Sequence, residues 1–250
     1  MQYSFKPTFF LTLFCLVLFS IMFSLGIWQL NRVNEKELLQ QTVNERTQRE
    51  TSSLNIKPFH AQPLNPYDQT QVMGHYLPED QFLLDNIIHK GKAGYYVLTP
   101  FEIDQTHEVI LVNRGWVSQG KNRQDLPNIT IDSKKRTLTG TLAAHRSKPV
   151  ILGNIDQPIS EDSRLWYYMD VKYFEKNAGY RVLPLALQLE SEQNLENAIP
   201  SAANLIREWP KFDAKTGMHI GYSIQWFVFA LFILLAFIGL SFKKINKDQQ

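Results

Sequence analysis

Two long stretches without charged side chains lie near the two ends of the chain. Residues 7–31 carry no charge, and residues 8–27 are almost continuously apolar. Twenty helical residues span about 30 Å, which is the thickness of a bilayer's hydrocarbon core. Residues 220–242 are also free of charge. The pattern predicts transmembrane helices over 8–29 and 219–242.

The alternative for the first stretch is a cleaved signal peptide. Such a peptide has an apolar region of roughly 7–15 residues that ends in a small-residue cleavage site. The apolar stretch here is longer, and Ser24-Leu25-Gly26 is a poor cleavage site. We therefore favour an uncleaved helix.

The residues between the spans change in character after residue 57. Residues 29–51 are rich in Gln, Glu, Asn, Arg and Leu and contain neither Gly nor Pro. This composition predicts a helical extension and linker over 30–57. Short β-like runs then follow from 58 to 218, separated by turn residues. We predict an α+β fold, with a β-rich extracytoplasmic domain over 58–218 that is anchored by an N-terminal and a C-terminal transmembrane helix.

Individual elements of this domain follow from local patterns. Residues 71–77 and 81–88 flank a turn at 78–80 and suggest a hairpin. Pro100 places the strand over 95–101 at an edge or a bulge, because proline cannot donate to a ladder. Residues 109–112 are wholly apolar and indicate a central strand. Further strands are predicted over 136–142 and 185–189, with a short helix over 170–179 that has Asp170 as N-cap and Gly179 as its terminator.

Charge patterning predicts the orientation. The tail 243–250 contains three lysines against one aspartate, and the tail 1–7 contains Lys6. Positively charged flanks stay in the cytoplasm, so both termini are expected inside and the main domain outside. Seven residues before the first span are too few for a mitochondrial leader. We therefore favour a bacterial inner membrane with a periplasmic domain, and the alternative is a mitochondrial protein whose leader has been removed.

Composition narrows the possible functions. There are 26 Lys and Arg against 24 Asp and Glu, a net charge of +2, which disfavours a nucleic-acid partner. The single cysteine, Cys15, excludes an internal disulfide. The chain contains no recognised catalytic motif and no histidine spacing typical of a metal site. We therefore expect a membrane protein that is not an enzyme.

His219 is the strongest candidate for chemistry. It precedes the second span and shares a helical stripe with Tyr222, Ser223, Trp226 and Ala230. Such a stripe could hold a flat amphipathic ligand, with the imidazole on its metal. The alternative is an ordinary interfacial histidine beside an aromatic belt.

Other residues point to contacts between elements. Gln29 and Gln225 are polar residues near the ends of the two spans, where such groups hydrogen-bond across helices. Trp28 and Trp226 fit membrane-interface anchors.

In the outer domain, Arg114 and Trp116 flank Gly115 at the end of the central strand. Stacking of the arginine on the indole is one interpretation, and a structural corner with a bulge at Gly115 is the other.

Several short motifs, in their order along the chain, resemble the surfeit locus protein 1 family of bacteria and mitochondria. They are Gly26-Ile-Trp-Gln-Leu-Asn-Arg32, Gly74-His-Tyr-Leu-Pro78, Leu84-Asp-Asn86, Gly94-Tyr95, Leu98-Thr-Pro-Phe101, Val112-Asn-Arg-Gly-Trp-Val117, Arg123 with Leu126-Pro127, Trp166 to Asp170, and His219 with Tyr222, Gln225, Trp226 and Phe227. One departure is Ile87, which stands where a basic residue is common in the family.

This resemblance implies a non-enzymatic assembly factor for haem–copper terminal oxidases such as cytochrome c oxidase. It implies haem a as a transient cofactor, with His219 as the candidate iron ligand and the oxidase catalytic subunit, haem a synthase and membrane lipid as partners. We expect Trp28, Gln29, Tyr222 and Trp226 to line the haem site.

Two other functions remain open. The first is a docking scaffold for oxidase subunits without haem contact, with Arg114 and Trp116 as partner-binding residues because these types dominate interface hot spots. The second is a membrane-anchored periplasmic enzyme or sensor. It is disfavoured because no convergent nucleophile, base or metal set is present.

Overall fold

The computed structural model describes residues 3–55, 64–120, 125–146, 158, 164–194 and 205–244. The predicted linker boundary at 57 and 58 and the motif residue Arg123 lie outside these ranges. Two compact units are present: residues 1–43 with 212–250, and residues 44–211. The elements in chain order are β1 (Tyr3–Phe5), α1 (Phe9–Thr47), β2 (Ser52–Ser53), β3 (Gln69–Tyr76), β4 (Phe82–His89), β5 (Lys92–Ile103), β6 (Val109–Ser118), β7 (Arg136–Ala144), β8 (Leu165–Trp166), α2 (Val171–Ala178), β9 (Leu185–Asn194), α3 (Gly217–Ser241) and β10 (Phe242–Lys244).

The first unit is a pair of helices. The apolar part of α1 and the whole of α3 are long and apolar enough to cross a membrane. Most of their apolar side chains are exposed within the chain, as expected of surfaces that face lipid. The two termini pair through β1 and β10, which run antiparallel. These features fit a two-pass membrane protein.

The second unit is built on a mixed eight-stranded sheet. Its order is β2-β3-β7-β9-β6-β5-β4-β8. Strand β3 also pairs with β5, so that β3, β7, β9, β6 and β5 close into a ring. Most neighbours are antiparallel, while β2 with β3, β6 with β9 and β4 with β8 run parallel. Closure of the ring pairs strand edges that would otherwise stay open.

Alternating residues of the ring strands form the main core. Val72, Phe101, Val112, Leu138 and Leu187 are fully buried, and each comes from a different strand of the ring. Because side chains alternate across a strand, residues between these positions point to the opposite face of the sheet. There a second cluster forms, which includes Trp116 of β6, Trp166 of β8 and Phe174 of α2.

The short helix α2 has the predicted boundaries. The Asp170 carboxylate accepts a hydrogen bond from the backbone N–H of Tyr173, at 3.0 Å. Gly179 follows the helix in the left-handed conformation, with φ of 81°. These caps satisfy backbone groups that the helix cannot pair internally.

The predicted hairpin between residues 71–77 and 81–88 is wrong. A short 3-10 helix, Pro78–Asp80, does turn the chain. However, β3 pairs with β7 and β5, while β4 pairs with β5 and β8. The turn diverts the chain from one side of the ring to the other, so consecutive strands do not become neighbours.

Pro100 lies inside β5 at a point where the strand exchanges partners. Strand β4 pairs with β5 as far as Leu98, and β3 pairs with it from Phe101 onward. A proline fits between these two ladders because no N–H is required there. The ladder with β6 shifts register between Val97 and Leu98, but the extra residue belongs to β6. Strand β5 has neighbours on both sides, so the expectation of an edge strand or a bulge in it is wrong.

Candidate functional site

The two long helices meet through a polar contact near the start of α3. Nδ1 of His219 lies 2.7 Å from Oε1 of Gln29 on α1. The Gln29 side chain is buried although it lies in an apolar segment. A buried amide in such a segment needs a partner, and the imidazole supplies it.

About one helical turn from this contact, towards the apolar part of α3, the two helices approach closely at small residues. The hydroxyl of Ser223 donates to the carbonyl oxygen of Gly26, at 3.1 Å. A Cβ built on Gly26 would lie 2.6 Å from the ring of Phe227. Ser223 and Ala230 are both almost fully buried on α3. Small residues let helix backbones approach each other, so this seam fixes the height at which His219 meets Gln29.

The contact also determines which imidazole nitrogen carries the proton. An amide oxygen only accepts hydrogen bonds, so Nδ1 of His219 must be the donor. The Nε2 atom then presents its lone pair, and it makes no protein hydrogen bond within the described part of the chain. Metal-binding histidines commonly have this arrangement, with the distal nitrogen held by a carbonyl and the other free for the metal.

A single imidazole of this kind suits an axial haem ligand. The described residues contain no group of three or more His, Cys, Asp or Glu side chains that could hold a bare metal ion. A haem iron is already bound by four porphyrin nitrogens, and an axial site needs only one side chain from the protein. His219 thus offers one donor, which is the number that an axial haem site takes from the protein.

Among the described residues, no hydrogen bond or ring contact joins the His219 imidazole to the other residues predicted for this site. Trp28 is 49% exposed and packs against Arg32, whereas Tyr222 is 51% exposed. Trp226 packs edge-on against Phe229. Gln225, which we expected to bond across the helices, is exposed. The structure thus brings together His219 and Gln29, leaves Trp28 and Tyr222 exposed and half-buries Trp226.

Of the two interpretations of Arg114 and Trp116, stacking of the guanidinium on the indole is contradicted by the geometry. Gly115 has φ of 141°, and the register with β5 skips Arg114, which is the extra residue of a bulge in β6. The bulge reverses the expected alternation, so the Arg114 guanidinium lies 5.5 Å from the ring of Tyr76. The Trp116 ring packs instead against His89, and its Nε1–H donates to the carbonyl of Ile87 at 3.0 Å. The alternative interpretation, a corner with a bulge at Gly115, agrees with this geometry.

Burial also bears on the proposed partner contacts of Arg114 and Trp116. Their exposed fractions are 0% and 4%. Neither side chain is presented to a partner, so the geometry gives both residues a role inside the domain.

Arg114 belongs to a buried charged cluster at one end of the ring. Tyr76 lies between Arg114 and Arg136, whose guanidinium is 5.7 Å from the same ring. Glu192 accepts from Arg136 at 2.7 Å, and Arg207 approaches the other carboxylate oxygen at 3.5 Å. Burial, with the charge of Glu192, raises the pKa of the Tyr76 hydroxyl, so it stays protonated. The cluster joins β3, β6, β7 and β9 and has no free carboxylate that could act as a base.

Sequence reasoning missed Gly26 and Phe227 as a contacting pair. Both occur in the motifs quoted above, and the 3- and 4-residue spacing of Gly26, Gln29 and Val33 was the available signal. That spacing was hidden because the whole stretch is apolar and every face of the helix looks alike.

The fold and the site define a class of protein, in which a β-ring domain is joined to two candidate membrane helices that carry one oriented histidine. A family model described as the SURF1 family matches residues 16–231. The chain therefore belongs to the SURF1 family, the surfeit locus protein 1 family that its motifs resemble.

Several named proteins are similar in sequence to this chain over most of its length. A SURF1-like protein of Rickettsia bellii is 27% identical over 226 residues, covering 89% of this chain and 87% of the relative. A SURF1-like protein of Monosiga brevicollis is 23% identical, covering 91% and 86%. The cytochrome oxidase assembly protein SHY1 of Saccharomyces cerevisiae is 26% identical over 162 residues, covering 64% of this chain and 41% of SHY1.

Proposed function

We propose that this protein is an assembly factor for a haem–copper terminal oxidase, cytochrome c oxidase. Membership of the SURF1 family and the similarity to a yeast protein named for cytochrome oxidase assembly support this role. We further propose that this role is non-enzymatic, because the relative's name describes assembly and not a reaction.

The finer proposal is that the helix pair transiently holds haem a as cargo for the oxidase catalytic subunit. The observation that carries it is the contact between His219 Nδ1 and Gln29 Oε1, which leaves Nε2 as a metal-binding lone pair. One imidazole with no second protein ligand suits a carrier, because the cargo must leave again.

Position along the helix supports an amphipathic cargo. His219 is the third residue of α3, and the wholly apolar part of that helix follows it. Haem a has an apolar tail and polar propionates, so a ligand at the end of an apolar helix would let the tail enter lipid while the propionates remain near water. We also propose that the haem site is lined by Trp28, Tyr222 and Trp226, which would contact the bound haem or the surrounding lipid.

The membrane arrangement is part of the same proposal. We place both termini in the cytoplasm of a bacterium, the two helices in its inner membrane and residues 44–211 in the periplasm, on the strength of the lysine-rich C-terminal tail. Haem a synthase is then the source of the cargo and the oxidase catalytic subunit its recipient.

The test measures haem a bound to the full-length protein. The chain is produced together with the enzymes that make haem a, purified in detergent, and assayed by the pyridine haemochrome spectrum. We expect His219→Gly to retain less than about a tenth of the wild-type haem. Loss of the ligand itself should cost at least as much as loss of a ligand's hydrogen-bond partner, which is on the order of 10–100-fold in affinity. Added imidazole should restore binding in this variant.

The matched control is His107→Gly, which removes a histidine that is 80% exposed in the sheet domain. It should retain the wild-type haem content. Equal haem in His219→Gly and wild type would overturn the haem proposal. Co-purification of that variant with the oxidase subunit would then favour the docking scaffold.

A further inference from the structure

The sheet domain contains a cleft on the outer face of strands β4, β5, β6 and β9. Its volume is about 470 Å³, within the roughly 300–1,000 Å³ of ligand sites. Leu84, Leu98 and Met169 form part of an apolar floor, and Ala144 and Ala186 leave room above it. All lining residues belong to the unit of residues 44–211 and are separate from His219.

Two carboxamides lie side by side in the wall. Asn113 and Gln188 occupy facing positions of the parallel ladder between β6 and β9. Oδ1 of Asn113 accepts from the backbone N–H of Gly115 at 3.3 Å, so its amide hydrogens remain for another acceptor. The backbone of Gln188 pairs in the sheet, but its side-chain carboxamide makes no hydrogen bond within the described residues. A carboxamide offers a donor and an acceptor together, and this is the pattern that a peptide main chain complements.

His145 adds a buried acceptor without a partner. Its Nε2 lies 3.1 Å from the carbonyl oxygen of Leu183, so Nε2 carries the proton. Nδ1 is then an acceptor, and this buried atom has no hydrogen-bond partner. Burial lowers the pKa of His145, which keeps the ring neutral. Buried polar atoms are normally paired, and an unpaired one in a cleft indicates a donor that belongs to the ligand.

The mouth of the cleft is aromatic and positively charged. Tyr67 and Tyr96 line it with Pro66 and Pro210, and Tyr67 has φ of 74°, a conformation that bulky residues rarely adopt. Arg146 is the lining residue with a permanent charge, and the lining contains no Asp or Glu among the residues that the structure describes. Tyrosine and proline surfaces pack well against peptide backbone, and an arginine pairs with a carboxylate.

We propose that this cleft binds an extended peptide segment of a partner protein, one that carries an acidic side chain next to an apolar one. The main chain bonds to Asn113, Gln188 and the free nitrogen of His145. The apolar side chain enters the floor at Leu98 and Met169, and the carboxylate pairs with Arg146. This inference concerns a second site, and it does not depend on haem binding at His219.

The experiment uses full-length protein in phosphatidylcholine nanodiscs and a phage-displayed library of random dodecapeptides. Selected peptides are synthesised with a fluorescein label and titrated by fluorescence anisotropy. We expect enrichment of Asp or Glu beside an apolar residue. Arg146→Glu and Gln188→Leu should each weaken binding by about tenfold or more, because a charge-assisted or buried hydrogen bond is lost. Ala144→Trp should block the cleft from its exposed rim.

Lys92→Glu is the matched control, since it reverses an exposed charge of the same domain outside the cleft. It should bind the selected peptide as wild type does. Failure to enrich any acidic peptide, or binding that the three cleft variants leave unchanged, would overturn the proposal. Competition by N-acetylglutamate amide as strong as that of the peptide would also overturn it, in favour of a small-anion site.

Discussion

His219 and Gln29 lie 190 positions apart in the chain, yet Nδ1 of the imidazole is 2.7 Å from Oε1 of the amide. The bond forms only when α1 and α3 lie side by side at one particular height. The nitrogen that faces away from Gln29 therefore owes its free lone pair to helix packing. The metal binding proposed at His219 would thus be coupled to the pairing of the two helices.

Removing the amide should weaken haem binding without removing the ligand. In Gln29→Leu the imidazole loses the acceptor that fixes its tautomer, so we expect about 10–100-fold weaker haem retention. Gln29→Glu keeps an acceptor oxygen at the same position and should retain most binding. The measurement is haem a titration of the purified full-length protein, followed by the Soret absorbance.

Gln225→Leu is the matched control for this prediction. It removes the same side chain from an exposed position of α3 and should bind haem as wild type does. Equal affinities for Gln29→Leu and Gln225→Leu would show that the bond has no part in ligand positioning.

A methyl group at Gly26 should disturb the seam between the helices. The added Cβ would lie 2.6 Å from the ring of Phe227, so the ring or the helices must move. Overpacking of this kind costs about 1–3 kcal/mol. We expect Gly26→Ala to lower the thermal unfolding midpoint of the full-length protein in detergent, measured by circular dichroism.

Gly221→Ala provides the comparison, because nothing lies within 4 Å of a Cβ at that glycine of α3. It should be neutral or slightly stabilising, as alanine favours helix. Adding Phe227→Leu to Gly26→Ala should recover part of the loss. If the two substitutions were simply additive, the seam would not depend on this contact.

Elements governed by local rules could be predicted from the sequence, and elements governed by distant partners could not. The α2 boundaries follow from Asp170 and Gly179, which act within one helical turn. The partner of β3 is β7, with Val72 opposite Leu138, and no local pattern encodes a pairing across so many residues. Adjacent strands with a turn between them resemble a hairpin whether or not they pair.

The candidate site shows the same division. The sequence predicted His219 and Gln29 as polar residues at helix ends, but not that they would bond to each other. Arg114 and Trp116 were expected on one face, and a single extra residue at the Gly115 bulge separated them. A one-residue shift reverses every side chain beyond it, so a bulge is enough to turn a predicted surface pair into two interior residues.

Breaking the buried ion pair of Arg136 and Glu192 should cost far more stability than breaking the neighbouring, more exposed pair of Lys135 and Asp104. Arg136 is fully buried and donates to Glu192 at 2.7 Å, and it also contacts Asp132. Arg136→Met leaves Glu192 without this cation, and breaking such a pair costs about 3–5 kcal/mol. Lys135→Met removes the adjacent, half-exposed pair with Asp104 and should cost less than about 1 kcal/mol.

These two variants are compared by urea unfolding of the full-length protein in detergent, monitored by tryptophan fluorescence. Trp116, Trp166 and Trp209 all lie in the sheet domain and report its unfolding. Similar losses for Arg136→Met and Lys135→Met would contradict the assignment of the cluster as a structural element.

His145 should make the sheet domain less stable in mild acid. Burial lowers its pKa in the folded protein, while in the unfolded chain the imidazole takes up a proton near pH 6.5. The unfolded state therefore binds more protons than the folded state as the pH falls through about 6.5, and the free energy of unfolding decreases. His145→Gln keeps a donor toward the carbonyl of Leu183 but does not titrate. We expect urea unfolding at pH 7.5 and 5.5 to show a smaller loss of stability in His145→Gln than in wild type, with all other titrating groups common to both. An equal loss in the two proteins would mean that the His145 ring takes up its proton in the folded state as readily as in the unfolded chain.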